Sequence, residues 1–506
     1  MKKIISFTLA ITFLLTCLAG CASKNAEDGG MPGNAMFPSY VGGTPENAID
    51  AGEGQYEYGE IIENPFIKTS EEPVSTFSAD VDTASYAYFR KLVNSGYKLD
   101  ELIATGGNSI RTEEMINYFD YDYQGPAEGE LFGKNVQISA CPWNESAVLM
   151  TLGLKTEEAN INADNNLIFL IDVSGSMESA DKLPLLKKAF GTLVSHLDEG
   201  DKISIVTYSG REAVVLEGCS GNKKEMIMKA VNDLSAKGST NGEAGLQKAY
   251  ALAEKYYISG GNNRIIMASD GDLNVGISSA EELKNYVSQK RDSGVYLSVL
   301  GFGTGNYKDA SMEALADNGN GVYYYIDGEA EAEKVMGSDI FSTLYTVGRD
   351  VKLQITFNPE QVESYRLVGY ENRLLNKEDF ADDTKDAGDV GAGHAVTVCY
   401  ELILKDGARE RDAEWMTLAV RYKLPNEEKS ELREYKIGKG DYTDAPSRDF
   451  KFISSVIELS MLLHKSKYLP EGNLAGIIDD LAKLDLSADA EKAELLALLK
   501  KLSAAK

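Results

Sequence analysis

Histidine is scarce in this sequence of 506 residues. The three histidines, His196, His394 and His464, lie far from one another along the chain, so no hydrolytic triad is indicated. His394 stands alone in an acidic, glycine-rich loop, which favours a structural role over metal ligation. The sequence therefore indicates no catalytic centre built on histidine.

Cysteine is almost as rare, and three cysteines follow residue 21: Cys141, Cys219 and Cys399. An odd number leaves at least one thiol unpaired within the chain, and their wide spacing does not indicate a zinc site. Cys141 and Cys399 both lie in strand-like segments and could pair with each other. Three buried thiols are the simpler expectation.

Basic residues are outnumbered, since 51 Lys and Arg face 79 Asp and Glu, which gives a formal net charge of −28. Such an acidic protein repels phosphate backbones and anionic lipid surfaces, so no nucleic-acid partner is expected. The charge suits surroundings that contain divalent cations, although solubility explains it equally well. The apolar content of 43% is ordinary for a globular protein, so an integral membrane protein is not indicated.

The apolar run at residues 4–18 is too short to be a confident membrane span, and it follows Lys2 and Lys3. A charged start and a short apolar run are typical of a signal peptide, here residues 1–20. The sequence Leu18-Ala19-Gly20-Cys21 resembles the bacterial lipobox, which implies cleavage before Cys21 and a lipid on its thiol. The alternative is an ordinary signal peptide followed by an incidental cysteine.

Composition and periodicity divide the rest of the chain into five segments. Gly, Asn, Ser, Glu and Pro dominate the first, which predicts a flexible tether. The second segment has predicted helices and then strands in which apolar residues recur at every second position. The third alternates strands with helices up to a last helix at 329–347, and the fourth is rich in strands around an acidic loop at 376–394. The fifth is helical, with Ser487 as a helix cap. The predicted bounds are 21–70, 71–160, 161–347, 348–440 and 441–506.

The strand-helix alternation predicts an α/β fold with a doubly wound, mainly parallel sheet. Neither set of flanking strands is large enough to form a stable sandwich alone. We therefore expect this domain to be inserted in a β-sandwich-like flanking domain, with helical N- and C-terminal additions. Near the start of the N-terminal flank, Asp80 and Asp82 could bind a cation, although capping of the following helix is commoner.

The apolar run at residues 167–171 predicts a strand buried on both faces, and polar side chains follow it directly. Asp172, Ser174 and Ser176 would lie at its carboxyl end, where open α/β sheets bind ligands. A carboxylate with hydroxyls suits a hard cation such as Mg²⁺. On its own, this motif is more typical of a capped strand-to-helix turn than of a metal site.

Two later stretches complete the pattern. Thr240 lies in a glycine-bounded loop at 238–242 before a predicted helix, and Asp270 and Asp272 follow a second buried strand at 265–269. With Asp172-x-Ser174-x-Ser176, these pieces resemble the von Willebrand factor type A domain, in its bacterial extracytoplasmic lipoprotein form.

The resemblance implies a metal-dependent adhesion site. Ser174 and Ser176 would bind the metal through their hydroxyls, Thr240 would do so in the ligand-competent state, and Asp172 and Asp270 would act mostly through water molecules. Asp272 either supports these ligands or simply ends the strand. Mg²⁺ is the expected ion, with Mn²⁺ or Ca²⁺ as alternatives. Stretches that look like the regions accompanying such domains are residues 77–86, 113–119, 141–143 and 388–394.

The resemblance also implies a function without catalysis. We expect a lipid-anchored extracytoplasmic binding protein that recognises a protein partner, with an acidic side chain of the partner completing the metal coordination. One alternative is a scaffold or envelope-assembly protein whose metal is merely structural. Another is a haloacid-dehalogenase-like phosphohydrolase with Asp172 as nucleophile, but that chemistry needs a second acid two residues later, where Ser174 stands.

Overall fold

A run of eight buried residues, Asn165–Asp172, is the central strand of the protein. The computed structural model describes residues 61–105, 109–158, 163–209, 211–238, 243–271, 280–291, 293–303, 309–425, 427–469 and 472–505. Cys21, Thr240 and Asp272 lie outside the described residues, as do the predicted signal peptide and most of the predicted tether.

The N-terminal flank contains four strands and three helices before the α/β domain begins. They are β1 Ile67–Lys68, β2 Val74–Ser78, α1 Ala84–Asn94, α2 Leu99–Thr105, α3 Thr112–Asn117, β3 Phe132–Ala140 and β4 Val148–Thr156. The helix α2 was not predicted from the sequence, because its seven residues are too few to show a clear helical period.

The α/β domain alternates strands with helices, as the sequence predicts. Its elements are β5 Asn165–Asp172, α4 Leu183–His196, β6 Lys202–Ser209, β7 Arg211–Ser220, α5 Lys224–Asn232, α6 Glu243–Lys255, β8 Asn262–Ser269, α7 Ala280–Arg291, β9 Tyr296–Phe302, α8 Asp309–Asn318, β10 Tyr323–Ile326, α9 Glu329–Lys334 and α10 Ile340–Leu344. A 3-10 turn at Gly175–Glu178 follows β5, and a π-helical turn at Val335–Asp339 joins α9 to α10.

The C-terminal flank contains six strands and then three helices. They are β11 Thr346–Phe357, β12 Val362–Val368, β13 Gly388–Gly391, β14 Ala395–Leu404, β15 Glu414–Lys423, β16 Glu431–Gly438, α11 Arg448–Leu463, α12 Leu474–Ala482 and α13 Ala490–Ala504. Short 3-10 helices occur at Lys377–Ala381 and Lys439–Asp441.

The central sheet has the strand order β10-β9-β8-β5-β6-β7, and every neighbouring pair is parallel except β6 with β7. The chain runs from β5 outward to β6 and β7 and then crosses back to β8 on the other side of β5. This reversal makes the gap between β5 and β8 the switch point of a doubly wound sheet, as the predicted fold class requires.

The two antiparallel sheets of the flanks are built from strands on both sides of the α/β domain. The first sheet has the order β1-β12-β14-β4-β3. In the second sheet, β11 pairs with β2, β13 and β15, and β15 in turn pairs with β16. A shared apolar core lies between them, including Phe77, Met150, Leu353, Tyr400 and Trp415. The α/β domain is therefore inserted in a β-sandwich-like flanking domain, and this prediction is confirmed.

Residues 167–171 alternate between two cores, which explains why the run is continuously apolar. Ile168 and Leu170 belong to the apolar core on the face of the central sheet that also contacts the flanking helices. Leu167, Phe169 and Ile171 belong to the core on the other face, where they pack against α4. A strand buried on both faces has no polar alternation.

In the part of the chain that the structure describes, no helix is long and apolar enough to cross a membrane.

Several boundaries differ from the predicted ones. The predicted helix at 329–347 is broken by the π-helical turn and ends at Leu344, because Thr346 already pairs with Gly391 in the ladder between β11 and β13. The predicted loop at 376–394 contains β13 and a 3-10 helix with a capping box at Asn376. Asp489 caps α13 in place of Ser487, whose hydroxyl donates to Asp485 instead.

The three cysteines that follow residue 21 are free and buried, as the simpler expectation had it. Burial raises the pKa of the Cys141 and Cys399 thiols above the ordinary range, so both stay protonated at neutral pH. Neither thiol is a ready nucleophile or metal ligand.

Candidate metal centre

The first polar motif lies at the carboxyl end of β5, at the switch point of the central sheet. Asp172 is fully buried, and its Oδ1 accepts the Ser174 N–H at 2.7 Å. This bond turns the chain so that the two serine hydroxyls face each other, with their Oγ atoms 2.9 Å apart. Met177 is buried below the 3-10 turn and anchors it, whereas Ser176 is exposed. The motif therefore presents two adjacent hydroxyls above a buried carboxylate.

Asp270 lies beside this motif because β8 is the parallel neighbour of β5, with Ile171 opposite Ala268. Its side chain is 3% exposed. Oδ2 accepts from Lys182 Nζ at 2.8 Å, and the buried Oδ1 has no hydrogen-bond partner among the described residues. A buried carboxylate oxygen without a partner is costly, so this atom fits a role as ligand to a cation or to its bound water.

The segment that precedes Thr240 also approaches the motif. Gly238 accepts the Gly175 N–H at 3.1 Å, and Lys237 donates its N–H to the Val173 carbonyl at 2.7 Å. Gly238 has a φ of +93°, and a Cβ there would lie 2.8 Å from Ser209 Oγ, so this approach requires glycine. These bonds bring the start of the predicted 238–242 loop to the serine motif.

The charge of Asp172 also acts on the tyrosine next to it. Tyr208 lies at the end of β6 and is completely buried, and burial together with the Asp172 carboxylate raises the pKa of its phenol well above the ordinary value. A neutral phenol therefore packs behind the carboxylate throughout the physiological pH range. It adds no second negative charge to the site.

Comparison with known proteins gives the family of this chain. The model described as "von Willebrand factor type A domain" matches residues 166–337, "von Willebrand factor" matches 53–151, and "Uncharacterized protein YfbK, C-terminal" matches 342–504. The uncharacterized protein YfbK of Escherichia coli (strain K12) is 39% identical over 444 residues, which are 83% of this chain and 76% of that protein. The chain belongs to the von Willebrand factor type A family.

Other proteins are similar to smaller parts of the chain. Inter-alpha-trypsin inhibitor heavy chain H3 of Homo sapiens is 30% identical over 177 residues, which are 33% of this chain and 20% of that protein. The solved structure of von Willebrand factor type A from Catenulispora acidiphila has 17% sequence identity and a TM-score of 0.41, over 67% of this chain and 81% of its own.

The von Willebrand A domain of this protein has a donor set that fits a divalent metal. Asp172, Ser174, Ser176 and Asp270 are brought together, and all of them offer oxygen, the ligand that Mg²⁺ prefers. Domains of this family commonly bind a divalent metal in such a place. Thr240 and Asp272 lie outside the described residues, so their contribution stays a prediction.

One residue beside the site was not found from the sequence. Lys182 is the N-cap residue of α4, and besides Asp270 its ammonium group contacts the Ser176 carbonyl at 3.0 Å. A cation at the N-terminus of a helix opposes the helix dipole. A lysine ten residues after Asp172, as the first residue of the helix predicted at 182–197, was therefore a usable signal.

A second cluster of acids lies at the junction of the flanks with the α/β domain. Carboxylate oxygens of Asp80, Asp82 and Glu114 lie within 4.8 Å of one another, a spacing that could hold a metal ion. Arg373 pairs with Asp80 at 3.1 Å and with Asp82 at 3.2 Å, and Arg111 pairs with Glu114 at 3.1 Å. Two guanidinium groups thus already pair with the three carboxylates of this triad.

The two aspartates do not cap helix α1, which was the commoner role expected for them. Thr83 is the N-cap residue and makes no side-chain capping bond. Asp82 Oδ1 instead accepts the Tyr323 N–H at 2.9 Å, at the start of β10. The pair therefore joins the flank to the edge of the central sheet.

Proposed function

We propose that this protein is a non-catalytic, lipid-anchored, extracytoplasmic binding protein that recognises a protein partner through a Mg²⁺-dependent adhesion site. The observation that carries the proposal is the buried Asp270 Oδ1, which has no hydrogen-bond partner in the described part of the chain and lies in one constellation with Asp172 and the paired hydroxyls of Ser174 and Ser176. Lipid attachment at Cys21 and exposure outside the cytoplasm rest on the sequence of residues 1–21.

The chemistry of these ligands favours partner binding over ion storage. Neutral hydroxyls leave most of the charge of the ion unneutralised, and a bound Mg²⁺ keeps open or water-filled positions that a carboxylate of a partner can take. Asp172 and Asp270 hold water molecules or the ion itself from the buried side. An acidic side chain of the partner would then complete the coordination.

A phosphohydrolase is the weaker candidate, because the arrangement lacks its acid–base group. Ser174 occupies the position two residues after Asp172, and its Oγ contacts Ser176. A hydroxyl next to a hydroxyl does not supply the general acid that a leaving alcohol needs.

Titration calorimetry with MgCl₂ tests the metal site directly. We expect binding to the wild type and its loss in Ser174→Ala and Asp270→Asn. The control is Ser195→Ala, which should bind Mg²⁺ like the wild type, because Ser195 is an exposed serine of α4 whose hydroxyl bonds to Thr192 and His196 of the same helix. Unchanged Mg²⁺ affinity in both site variants would refute the site.

Capture from detergent-solubilised native membranes tests partner recognition. The wild type should retain a protein in Mg²⁺ and release it in EDTA, and Ser174→Ala should fail to retain the same protein in Mg²⁺. A partner that is retained equally in EDTA and by Ser174→Ala would favour the scaffold alternative with a merely structural metal. Circular dichroism of each variant shows that the fold is preserved.

A further inference from the structure

Lys182 is an intramolecular cation at the proposed metal site. Its ammonium group lies 2.8 Å from Asp270 Oδ2 and 3.0 Å from the carbonyl oxygen of Ser176, and its side chain is 13% exposed. Both contacts belong to predicted metal ligands. One carboxylate, Asp270, therefore faces a lysine through one oxygen and offers the other oxygen to the site.

The side chain of Lys182 passes close to a glycine. Gly303 follows β9 with a φ of +75°, and a Cβ there would lie 2.2 Å from Lys182 Cε. The Gly303 carbonyl accepts the Tyr325 hydroxyl at 2.9 Å. The lysine side chain therefore passes next to the end of β9 on its way to Asp270.

The N-terminal flank fixes the same segment from outside. Lys91 of α1 pairs with Asp181 at 2.8 Å, directly before Lys182. Tyr88 of the same helix packs edge-on against Tyr325, with ring centroids 5.3 Å apart. A lysine at the start of α4 gains nothing from the helix dipole, so these contacts compensate for an unfavourable position.

We propose that Lys182 competes with the divalent ion for Asp270, so that metal enters the site by exchanging the lysine ammonium out of it. The inference rests on the proposed function, because it concerns the same metal site. Two cations that share one carboxylate repel each other, and the repulsion is strong where water is largely excluded. Lys182 thus lowers the metal affinity and keeps the site readily exchangeable.

Replacement of the lysine tests the competition. We expect Lys182→Met to bind Mg²⁺ alone at least tenfold more tightly than the wild type in titration calorimetry, because the competing charge is gone. Lys188→Met is the matched control, since Lys188 lies on the same helix, is 64% exposed and pairs with Glu329. Equal or weaker affinity in Lys182→Met would overturn the inference.

Chemical labelling of the wild type tests the exchange without a mutation. Reductive methylation followed by peptide mass spectrometry should modify Lys182 slowly in EDTA and several-fold faster in saturating MgCl₂, because the ammonium group leaves Asp270. Lys188 should react equally fast in both. A labelling rate of Lys182 that Mg²⁺ leaves unchanged or lowers would contradict the exchange.

The two proposals fail in different ways. A wild type that binds no Mg²⁺, together with a Lys182→Met variant that binds none, removes the metal site and with it the proposed function. The other outcome is a wild type that binds Mg²⁺ through Ser174 and Asp270, with an affinity that Lys182→Met leaves unchanged and a Lys182 labelling rate that Mg²⁺ leaves unchanged. That outcome removes only the role of Lys182.

Discussion

Several partly or fully buried carboxylates in the described part of the chain have a raised pKa. Asp389 is an example: its Oδ1 accepts the Asp350 N–H at 3.1 Å, and burial, with the charge of Asp350 adding to it, raises its pKa to about 7. Such groups take up protons when the protein folds, so they make stability depend on pH.

We predict that Asp389→Asn stabilises the protein at high pH. An aspartate in the unfolded chain has a pKa of about 3.9, so the folded wild type binds more protons above that pH, and its stability falls as the pH rises towards 7. The variant lacks this loss, so its melting temperature should exceed that of the wild type by more at pH 8 than at pH 5. Calorimetric melting at both pH values measures the difference.

The exposed Asp406 provides the control. Asp406→Asn should shift the melting temperature by the same small amount at pH 5 and at pH 8. A stabilisation of Asp389→Asn that does not grow with pH would show that the ionised carboxylate is not the cause.

The ion pair of Arg366 and Glu401 connects β12 to β14 under helix α11. The Arg366 Nε lies 3.0 Å from Glu401 Oε1, both side chains are 2% exposed or less, and the guanidinium stacks 4.2 Å from the centre of the Tyr468 ring. We predict that Arg366→Met lowers the free energy of unfolding by about 3–5 kcal/mol, because it leaves Glu401 buried without its partner. Urea denaturation followed by circular dichroism measures this loss.

The double variant Arg366→Met with Glu401→Gln is the control for that prediction. It removes the uncompensated charge and should recover part of the lost stability. The double variant could instead lose more free energy of unfolding than the two single variants lose together. In that case the unpaired charge of Glu401 would not be the reason for the loss in Arg366→Met.

At the scale of elements, hydrogen-bonding caps decide where the C-terminal helices begin. Ser447 caps α11, Asn473 caps α12 and Asp489 caps α13, each by accepting a backbone N–H of the first turn. Asp489 also lies 3.1 Å from the buried Lys492 ammonium. The cap of α13 therefore satisfies a backbone donor and a buried charge together.

We predict that Asp489→Ala lowers the free energy of unfolding by about 1–2 kcal/mol, because it removes the cap of α13. Ser487→Ala should cost much less, since the Ser487 hydroxyl donates only to Asp485 in an exposed turn. Parallel denaturation of the two variants compares them. Equal losses would mean that the helix start depends on neither side chain in particular.

At the scale of the whole molecule, the flanks and the α/β domain are joined by buried charges. Arg90 of α1 contacts Asp327 and Glu331 of the α/β domain at 2.6 Å each and Glu494 of α13 at 3.0 Å. The Tyr118 hydroxyl of the N-terminal flank also donates to Glu331 at 2.7 Å. One guanidinium thus connects three parts that are distant in sequence.

We predict that Arg90→Met lowers the free energy of unfolding by about 3–5 kcal/mol, because Glu331 is left buried without a cationic partner from the flank. The pair of Lys188 and Glu329 is the control: both side chains are more than half exposed, and Lys188→Met should change stability by less than about 0.5 kcal/mol. Denaturation curves of both variants test this. An equally small effect of Arg90→Met would show that apolar packing alone joins the flanks to the domain.

The sequence alone was sufficient for the parts of the fold that local pattern controls. The alternation of strands and helices, the doubly buried strand at 167–171 and the insertion between two strand sets followed from periodicity and from the number of strands a sandwich needs. The resemblance to the von Willebrand A domain also grouped Asp172, Ser174, Ser176 and Asp270 in one predicted metal site. The structure brings these four residues together at the carboxyl ends of two parallel strands, and their role as ligands stays a prediction.

Only the tertiary structure decided the features that depend on residues distant in the chain. The π-helical turn at Val335–Asp339, the strand β13 and the pairing of Arg373 with Asp80 and Asp82 arise from packing against other segments, which overrides local propensity. Lys182 joined the candidate site for the same reason. Its sequence neighbourhood shows a lysine at the start of a predicted helix, but the side chain reaches Asp270 because parallel pairing puts the end of β8 next to the end of β5.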